Sequence, residues 1–295
     1  MKLISFGEVL WDIYPDGKCI GGAPFNFAAH AARLGEEAYL LSAVGMDPLA
    51  DETLAAVRAA GVHTDYISRS KRKTGQCHVS LDANRVPTYK LLKRVAYDDI
   101  TVPLSIPADS VLYFGTLALR EKHNIAALIS LMEREKFSEV FVDLNIRPPF
   151  SSDMVITFAI SRATILKVSA EELSNVSTAL AKTEEHLVEL GEIPPYDTWA
   201  HALPAFFPRL KLILVTLGAD GAYLYDVKND REYRTPAVPT EVVSTVGAGD
   251  SFAAAFLSRY LPTRDAAPAL AFAARVAAFV VSKKEAVPPY TLSDF

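Results

Sequence analysis

The sequence predicts an α/β fold in which a doubly wound, mostly parallel sheet carries a small β-sheet lid. Residues 139–144 and 211–217 are nearly continuous apolar runs, which is typical of parallel strands buried on both faces. These runs alternate with helical patterns, as βαβ units do. Residues 9–20 and 75–93 instead predict half-exposed hairpins. We expect a single domain over residues 1–295, with a lid formed by roughly residues 9–21 and 75–98 and inserted in the core.

The first third of the chain predicts the lid and the start of the β/α alternation. The helix over residues 21–35, GGAPFNFAAHAARLG, is favoured because Pro24 suits a first helical turn and Gly35 ends the apolar face. The two hairpins are expected to join as one small sheet outside the core. The predicted elements are, in order, a strand at 3–7, a hairpin at 9–20, the helix just described, a strand at 38–44, a helix at 49–60, and two extended runs from residue 75 that meet at a turn near Asn84.

The rest of the chain resumes the alternation of strands and helices. The predicted elements are strands at 111–115, 140–144 and 164–168 separated by helices at 122–136 and 153–161, two or three helices between residues 170 and 207, strands at 212–216 and 222–225, and two C-terminal helices. This order favours one parallel sheet with helices on both faces.

Composition excludes several classes of function. Half of the 295 residues are hydrophobic, and the net charge of −5 is spread along the chain, so we expect neither nucleic acid nor a membrane surface as a partner. The two cysteines, Cys19 and Cys77, form no disulfide framework and are expected to be unpaired thiols. The N-terminal apolar run is too short and too acidic for a signal peptide, and Arg275 interrupts the apolar stretch Ala266–Val281. We expect a cytoplasmic protein.

The stretch STVGAGDSFAAAF, residues 244–256, is the centre of the functional interpretation. Gly247, Ala248 and Gly249 predict a turn of exposed backbone N–H groups, and a helix is expected to begin where the glycines end. A helix N-terminus of this kind binds phosphate or another oxyanion. Asp250 stands at this opening and is either a helix cap or a general base that takes a proton from a hydroxyl. The stretch alone does not decide between these roles.

Further polar groups lie where strands are predicted to end, the edge at which open α/β sheets bind ligands. Each has a structural alternative as a loop residue, a turn, a surface ion pair or a helix capping box. The candidate groups are Asp12 and Asn26 beside the Gly21–Gly22 turn, which suit a polyol; Thr216, Gly218 and Gly221, which suit a nucleotide; Asp143, Asn145 and Arg147, which suit phosphate or substrate; and Lys167, Ser169 and Glu172, which suit a nucleotide or Mg²⁺ site.

Five motifs in one order resemble the ribokinase-like (PfkB) carbohydrate kinases, and the resemblance spans nearly the whole chain. The motifs are GGAPFNFAAHAARLG, DLNIRP, LKVSAEEL, VTLGADGAYLY and STVGAGDSFAAAF. Within the family, Trp11 and Asp12 followed by GGAPFNFA look most like the fructokinases. The resemblance implies a doubly wound ribokinase-like core and a β-sheet lid over a sugar. It also implies ATP and Mg²⁺ as cofactors.

The resemblance assigns roles to the matching residues. It makes Asp250 the base that deprotonates the primary hydroxyl of the sugar, and the backbone of Gly247, Ala248 and Gly249 the anion hole. The remaining implied contacts are Asp12, Gly22, Asn26 and Arg147 to the sugar; Lys167, Ser169, Thr216, Gly218 and Gly221 to the nucleotide; and Glu172 to the metal through water. Such an arrangement suits phosphoryl transfer, which needs positioning and charge neutralisation.

The sequence departs from the family pattern at four positions. Ser169 replaces the Asn of the NxxE motif, and Ala274 stands where some relatives present a polar side chain to the adenine. Ser244 and Glu285 stand where relatives have Asp and Gly in regions that form a monovalent-cation site, which leaves K⁺ activation open.

The resulting hypothesis is an ATP-dependent kinase that phosphorylates the 6-hydroxyl of fructose. Ribose, 2-keto-3-deoxygluconate or a nucleoside as the acceptor, and a noncatalytic sugar- or nucleotide-binding protein of the same fold, are the alternatives. A dinucleotide-dependent dehydrogenase is disfavoured because no GxGxxG follows the first strand. An uncovered lid face favours a homodimer.

Overall fold

A computed structural model of the chain describes residues 1–81, 87–183 and 195–295. The turn predicted near Asn84 lies outside these residues. The strands are β1 (Lys2–Phe6), β2 (Leu10–Tyr14), β3 (Gly17–Gly21), β4 (Glu37–Val44), β5 (Ile67–Arg69), β6 (Gly75–Leu81), β7 (Pro87–Leu91), β8 (Val111–Phe114), β9 (Glu139–Asp143), β10 (Ile165–Ser169), β11 (Leu212–Thr216), β12 (Ala222–Asp226) and β13 (Arg231–Thr235).

Eight α-helices accompany these strands in the described ranges. They are α1 (Ala23–Arg33), α2 (Pro48–Ala59), α3 (Lys122–Arg134), α4 (Asp153–Arg162), α5 (Leu173–Thr183), α6 (Tyr196–Ala202), α7 (Ala248–Thr263) and α8 (Ala266–Val281). Within the part of the chain that the structure describes, each helix is too short or too polar to cross a membrane.

The main sheet has nine strands in the order β13-β12-β11-β10-β9-β8-β1-β4-β5. The strands from β11 to β5 pair in parallel, while β12 and β13 add an antiparallel edge. Successive residues of β1 enter different cores: Ile4 packs in the cluster with α3, α4 and α5, and Leu3 in the cluster with α1, α7 and α8. This alternation follows from the period of two along a strand. It confirms the predicted doubly wound, mostly parallel fold.

Two edge strands, β5 and β13, were not predicted from the sequence. The strand β5 has only three residues, and β13 (REYRT) carries three charged side chains. A charged or very short strand is common at sheet edges, where it discourages pairing with other chains. Such a strand lacks the apolar run or the clean alternation on which the sequence prediction depended.

The lid is a separate four-stranded sheet in the order β3-β2-β6-β7. Its two hairpins are antiparallel, as predicted, but they join through a parallel pairing of β2 with β6. The register places Cys19 and Cys77 on either side of Asp12 in one row, and both cysteines are free. On the opposite face of β2, the Trp11 indole donates to Thr53 Oγ1 of α2 at 2.8 Å. The strand β2 therefore attaches the lid to the core with one face and presents Asp12 on the other.

Glu139, the first residue of β9, joins three elements at the amino edge of the main sheet. Its buried carboxylate accepts from Thr164 Oγ1 at 2.7 Å, from Lys211 Nζ at 2.9 and 3.0 Å, and from Arg264 Nη1 at 2.9 Å. Burial alone would raise the pKa of Glu139, but these hydrogen bonds hold it below its ordinary value. This network lies at the edge opposite to the predicted ligand site.

Candidate active site

The candidate site lies at the carboxyl edge of the main sheet, where the central parallel strands end together. Asp143 ends β9, Ser169 ends β10 and Thr216 ends β11, while Glu8 follows β1 by two residues. The N-terminus of α7 contributes Gly249 and Asp250 to the same edge, because the position of a Cβ on Gly249 would lie 3.1 Å from Lys167 Nζ of β10. The fold thus brings together the motifs that the sequence singled out.

The helix α7 begins at Ala248, two residues earlier than the sequence predicted. Gly247 is its N-cap and has a left-handed backbone, with φ of 83°. A Cβ there would lie 2.3 Å from the carbonyl oxygen of Ala286, so only glycine allows this close approach. The N–H groups of the first turn of α7 have no partner within the helix and carry the positive end of its dipole. The N–H of Ala248 donates to the Thr245 carbonyl at 3.3 Å, and anion binding at this turn stays a prediction.

Asp250 lies in the first turn of α7, three residues after the N-cap position held by Gly247. Its side chain is buried, with 8% of the residue exposed, and its Oδ2 accepts from Asn26 Nδ2 at 2.9 Å. Burial and the nearby Asp143 carboxylate raise the pKa of Asp250 to about 6, against an opposing effect of Asn26, Lys167 and Arg147. A carboxylate with such a pKa can accept a proton near neutral pH.

A buried ion pair lies directly beneath this turn. Lys167 Nζ donates to Asp143 Oδ1 and Oδ2 at 2.9 and 2.8 Å, and both side chains are almost fully buried. Burial alone would lower the pKa of Lys167, but the Asp143 carboxylate raises it above its ordinary value. Lys167 therefore remains charged beside Gly249 and adds a positive field under the anion-binding turn.

Glu172 forms a helix capping box with Ser169, which is one of the two roles that the sequence allowed for it. Its Oε2 accepts from the backbone N–H of Ser169 at 2.8 Å, and its Oε1 accepts from the backbone N–H of Ile146. The carboxylate therefore ties the end of β10 to the loop that follows β9. Each oxygen retains a second acceptor position, so this arrangement is compatible with a further contact to a water molecule.

The glycines of the VTLGADG turn serve two different purposes. Gly221 has φ of 92°, and a Cβ there would lie 2.0 Å from the carbonyl oxygen of Thr235 on β13. Packing against β13 thus explains Gly221 without a ligand. Gly218, which follows Thr216 of β11, has φ of 59°, and a Cβ there would meet open space. Only Gly218 leaves room for a ligand to approach.

A cavity of about 570 Å³ adjoins this turn. Its described lining consists of Ala170, Tyr196, Leu217, Asp220, Ala222, Arg234, Thr235 and Pro236. Asp250 and Asn26 are not among these residues. The candidate site is therefore defined by the convergence of Asp250, Asn26 and Lys167 and does not depend on this cavity.

The predicted sugar-binding residues come from four places in the chain: Asp12 from β2, Gly22 from the junction of β3 and α1, Asn26 from α1, and Arg147 from the loop after β9. Gly22 has φ of 108°, and a Cβ there would lie 2.6 Å from the carbonyl oxygen of Glu8. Burial raises the pKa of Asp12, and the positive charge of the exposed Arg147 partly offsets this effect, as it does for Asp250. Arg147 therefore acts electrostatically on both the lid carboxylate and the site carboxylate. Asn26 Oδ1 is buried with no hydrogen-bond partner among the described residues, which leaves an acceptor at this position.

The comparisons with known proteins identify the family. The model of the pfkB family carbohydrate kinases matches residues 17–291. The chain belongs to this family.

Named relatives of the kinase differ in their acceptors. The chain is 27% identical to fructokinase-2 of Solanum habrochaites, over 97% of this chain and 92% of that protein. It is 28% identical to a fructosamine kinase of Bacillus subtilis, over 94% and 90% of the two chains. The crystal structure of an uncharacterized sugar kinase from Pyrococcus horikoshii in complex with ATP is 26% identical, with a TM-score of 0.79 over 99% and 96% of the chains. The kinase is a phosphotransferase whose acceptor is an alcohol group of a sugar.

Sequence reasoning missed one carboxylate of this kinase. Glu8 is buried, and burial raises its pKa to about 7, with an additional effect of the Asp250 charge. Its Oε2 has no hydrogen-bond partner in the described part of the chain. The available signal was a charged residue two positions after an apolar strand, at the edge where α/β sheets bind ligands.

The raised pKa of Asp250 predicts a cost in stability. Its folded pKa of about 6 exceeds its ordinary value of 3.8, so stability falls as the pH rises through this window and the full cost is present at pH 7. Asp250→Asn should therefore raise the free energy of unfolding at pH 7 by about 1 to 3 kcal/mol. Urea unfolding at pH 7 and at pH 4 measures this gain.

The gain should be mostly absent at pH 4, where Asp250 is protonated in the folded wild type. Asp16→Asn, at an exposed lid turn, is the matched control and should change stability little at either pH. A less stable Asp250→Asn variant at pH 7, or an equal gain at both pH values, would contradict the raised pKa.

Proposed function

We propose that this protein is a cytoplasmic fructokinase that transfers the γ-phosphoryl group of ATP to the 6-hydroxyl of fructose. The observation that supports it most is the buried Asp250 carboxylate, with a pKa of about 6, at the N-terminal opening of α7. A base that directly follows an anion-binding turn, as Asp250 follows Gly247–Gly249, is what phosphoryl transfer to a hydroxyl requires. The fructokinase among the named relatives favours fructose, and two free thiols suit a reducing compartment.

In this proposal Asp250 accepts the proton of the 6-hydroxyl as the oxygen attacks phosphorus. Its carboxylate is oriented by Asn26 Nδ2, and the N–H groups of Gly247, Ala248 and Gly249 donate to the phosphoryl oxygens whose charge develops. The Ala248 N–H would exchange its 3.3 Å bond to the Thr245 carbonyl for this contact. The sugar is held by Asp12 from the lid, by the backbone at Gly22, and by Asn26 and Arg147. The free acceptor position on Asn26 Oδ1 supports its contact with a sugar hydroxyl.

The nucleotide would lie over the ends of β10 and β11. Thr216 and the open position at Gly218 support its approach there, with Gly221 shaping the same turn and Ser169 at the end of β10. Lys167 already donates to both oxygens of Asp143, which leaves one N–H to donate to a phosphate.

The residues present fit Mg²⁺ held mainly by phosphate and water. No group of three or more His, Cys, Asp or Glu in the described ranges could hold a metal ion by itself. Mg²⁺ in nucleotide sites keeps several waters and neutralises phosphate charge. Glu172 would contribute through one of these waters, because both its oxygens also accept from backbone N–H groups.

The test is ATP consumption across a panel of acceptors. The wild-type protein with Mg²⁺ should produce ADP with fructose at a kcat/KM at least about tenfold above that for ribose, 2-keto-3-deoxygluconate, a nucleoside and fructosamine. Preference for any of these other acceptors would overturn the assignment to fructose while leaving a sugar kinase. Sugar binding without ADP production would instead favour a noncatalytic binding protein.

Asp250→Asn should abolish most of the activity while leaving the protein folded. The loss of a base and of a charge that acts in the transition state should lower kcat/KM by about 100-fold or more. For the wild type, kcat/KM should fall as the pH drops below about 6, where Asp250 becomes protonated. A variant with near-normal turnover, or a flat profile between pH 5 and 8, would refute the role of Asp250 as the base.

We also propose a homodimer through the lid. Tyr89 of β7 is 52% exposed, a large side chain on a thin sheet outside the main core. Light scattering should give twice the 32.2 kDa of one chain, and Tyr89→Glu should shift the protein towards one chain. Met154→Glu, at a position on α4 that is 74% exposed, is the control and should keep the dimer. A wild-type mass of one chain would contradict this proposal.

A further inference from the structure

A buried histidine connects the sugar side of the site to the segment that follows α8. His30 lies on α1, four residues after Asn26, so the two side chains occupy one face of the helix. Asn26 reaches Asp250 of α7, whereas His30 reaches Ala286 and Tyr290 beyond α8. His30 is completely buried. One helix face thus contacts both sides of the α7 turn.

The hydrogen bonds of His30 fix its protonation state. Nε2 lies 2.9 Å from the carbonyl oxygen of Ala286, and Nδ1 lies 2.8 Å from the hydroxyl of Tyr290. A carbonyl only accepts, so Nε2 carries a proton, and in a neutral ring Nδ1 then accepts from the Tyr290 hydroxyl. Burial lowers the pKa of His30 to about 3, so the ring is neutral at physiological pH. The ring is therefore an oriented donor to the Ala286 carbonyl.

The Ala286 carbonyl is the group that contacts Gly247. A Cβ on Gly247 would lie 2.3 Å from this oxygen and 3.0 Å from the Ala286 Cα. Gly247 is the N-cap of α7, and its left-handed backbone sets the direction of the first turn. A displacement of the Ala286 carbonyl would therefore move or release Gly247 and the N–H groups that follow it.

We propose that His30 is a positioning residue that holds the anion-binding turn in place through the Ala286 carbonyl. The inference rests on the proposed function of Gly247, Ala248, Gly249 and Asp250. Asn26 orients the carboxylate and His30 fixes the backbone at Gly247, so α1 holds both the base and the anion hole in position. Small errors in such distances reduce catalysis strongly because phosphoryl transfer depends on positioning.

A purely structural role for His30 is the competing explanation. Tyr290 packs with Phe279 and Phe295 in edge-to-face contacts, and the His30 ring stacks on Tyr290. His30 could then contribute to this aromatic cluster without affecting the turn. A phenylalanine ring distinguishes the two roles, because it preserves the packing and loses the hydrogen bonds with Ala286 and Tyr290.

The experiment compares His30→Phe, which keeps a ring, with His30→Gln, which keeps a donor. Thr164→Val is the control, because it removes buried hydrogen bonds to Glu139 and Val140 at the opposite edge of the sheet. Activity is measured with the acceptor that the wild type prefers, at a temperature where all variants are folded. His30→Phe should lower kcat about 10- to 100-fold, with the KM of sugar and ATP changed less than about threefold. His30→Gln should recover most of the loss, and Thr164→Val should retain kcat.

Amide hydrogen exchange tests the same inference without any sugar. Exchange at Ser251, whose N–H donates to the Gly247 carbonyl at 2.9 Å, should be about tenfold faster in His30→Phe than in the wild type and in Thr164→Val, and unchanged along β9. Wild-type kcat and wild-type exchange in His30→Phe would overturn the inference and leave His30 a packing residue. If the wild type phosphorylates no acceptor, the proposed function fails, while the exchange result still decides whether His30 holds the turn.

Discussion

The charge balance around Asp250 is the constraint on which the site depends. Two carboxylates, Asp143 and Asp250, lie buried at one sheet edge, and burial, followed by their mutual repulsion, raises the pKa of Asp250. Lys167 binds both oxygens of Asp143 and so compensates one of the two charges. Without this partner, two buried negative charges would favour protonation of Asp250 at neutral pH. The pair beneath the turn therefore keeps the carboxylate close to the pKa that a base needs.

The parallel sheet explains why these groups meet at all. Lys167 and Asp143 stand directly opposite each other in the register of β10 with β9, so neighbouring parallel strands place their side chains on the same face. The hydrogen bond between Asn26 and Asp250 instead joins residues 224 positions apart in the sequence. It forms because α1 and α7 pack in the same core cluster on one side of the sheet. The sheet therefore positions the ion pair of Lys167 and Asp143. The helices packed on one side of it position Asp250 and Asn26.

The sequence predicted elements well where many residues share one hydrophobic pattern. It predicted the role of a residue poorly where that role depends on a single side chain. The alternation of apolar runs predicted the central strands and the helices, since each run reflects burial on both faces. The residues after the strand ends were also identified as site candidates. In contrast, nothing near Gly221 distinguishes a glycine required by β13 from one that approaches a ligand. Glu8 and His30 were missed because a lone polar residue among apolar neighbours does not reveal its partners, which lie far away in sequence.

The lid shows how one strand can meet two requirements. On β2, Trp11 and Asp12 are adjacent and therefore point to opposite faces. Trp11 is bonded to Thr53 of α2, and Asp12 stands in a row with Cys19 and Cys77. A shift of one residue in the pairing of β2 with β6 would exchange these faces, leaving the indole at the ligand side and the carboxylate against α2. Because burying an unpaired carboxylate against α2 would be costly, the anchoring of Trp11 also fixes the register that places Asp12 on the other face, in the row with Cys19 and Cys77.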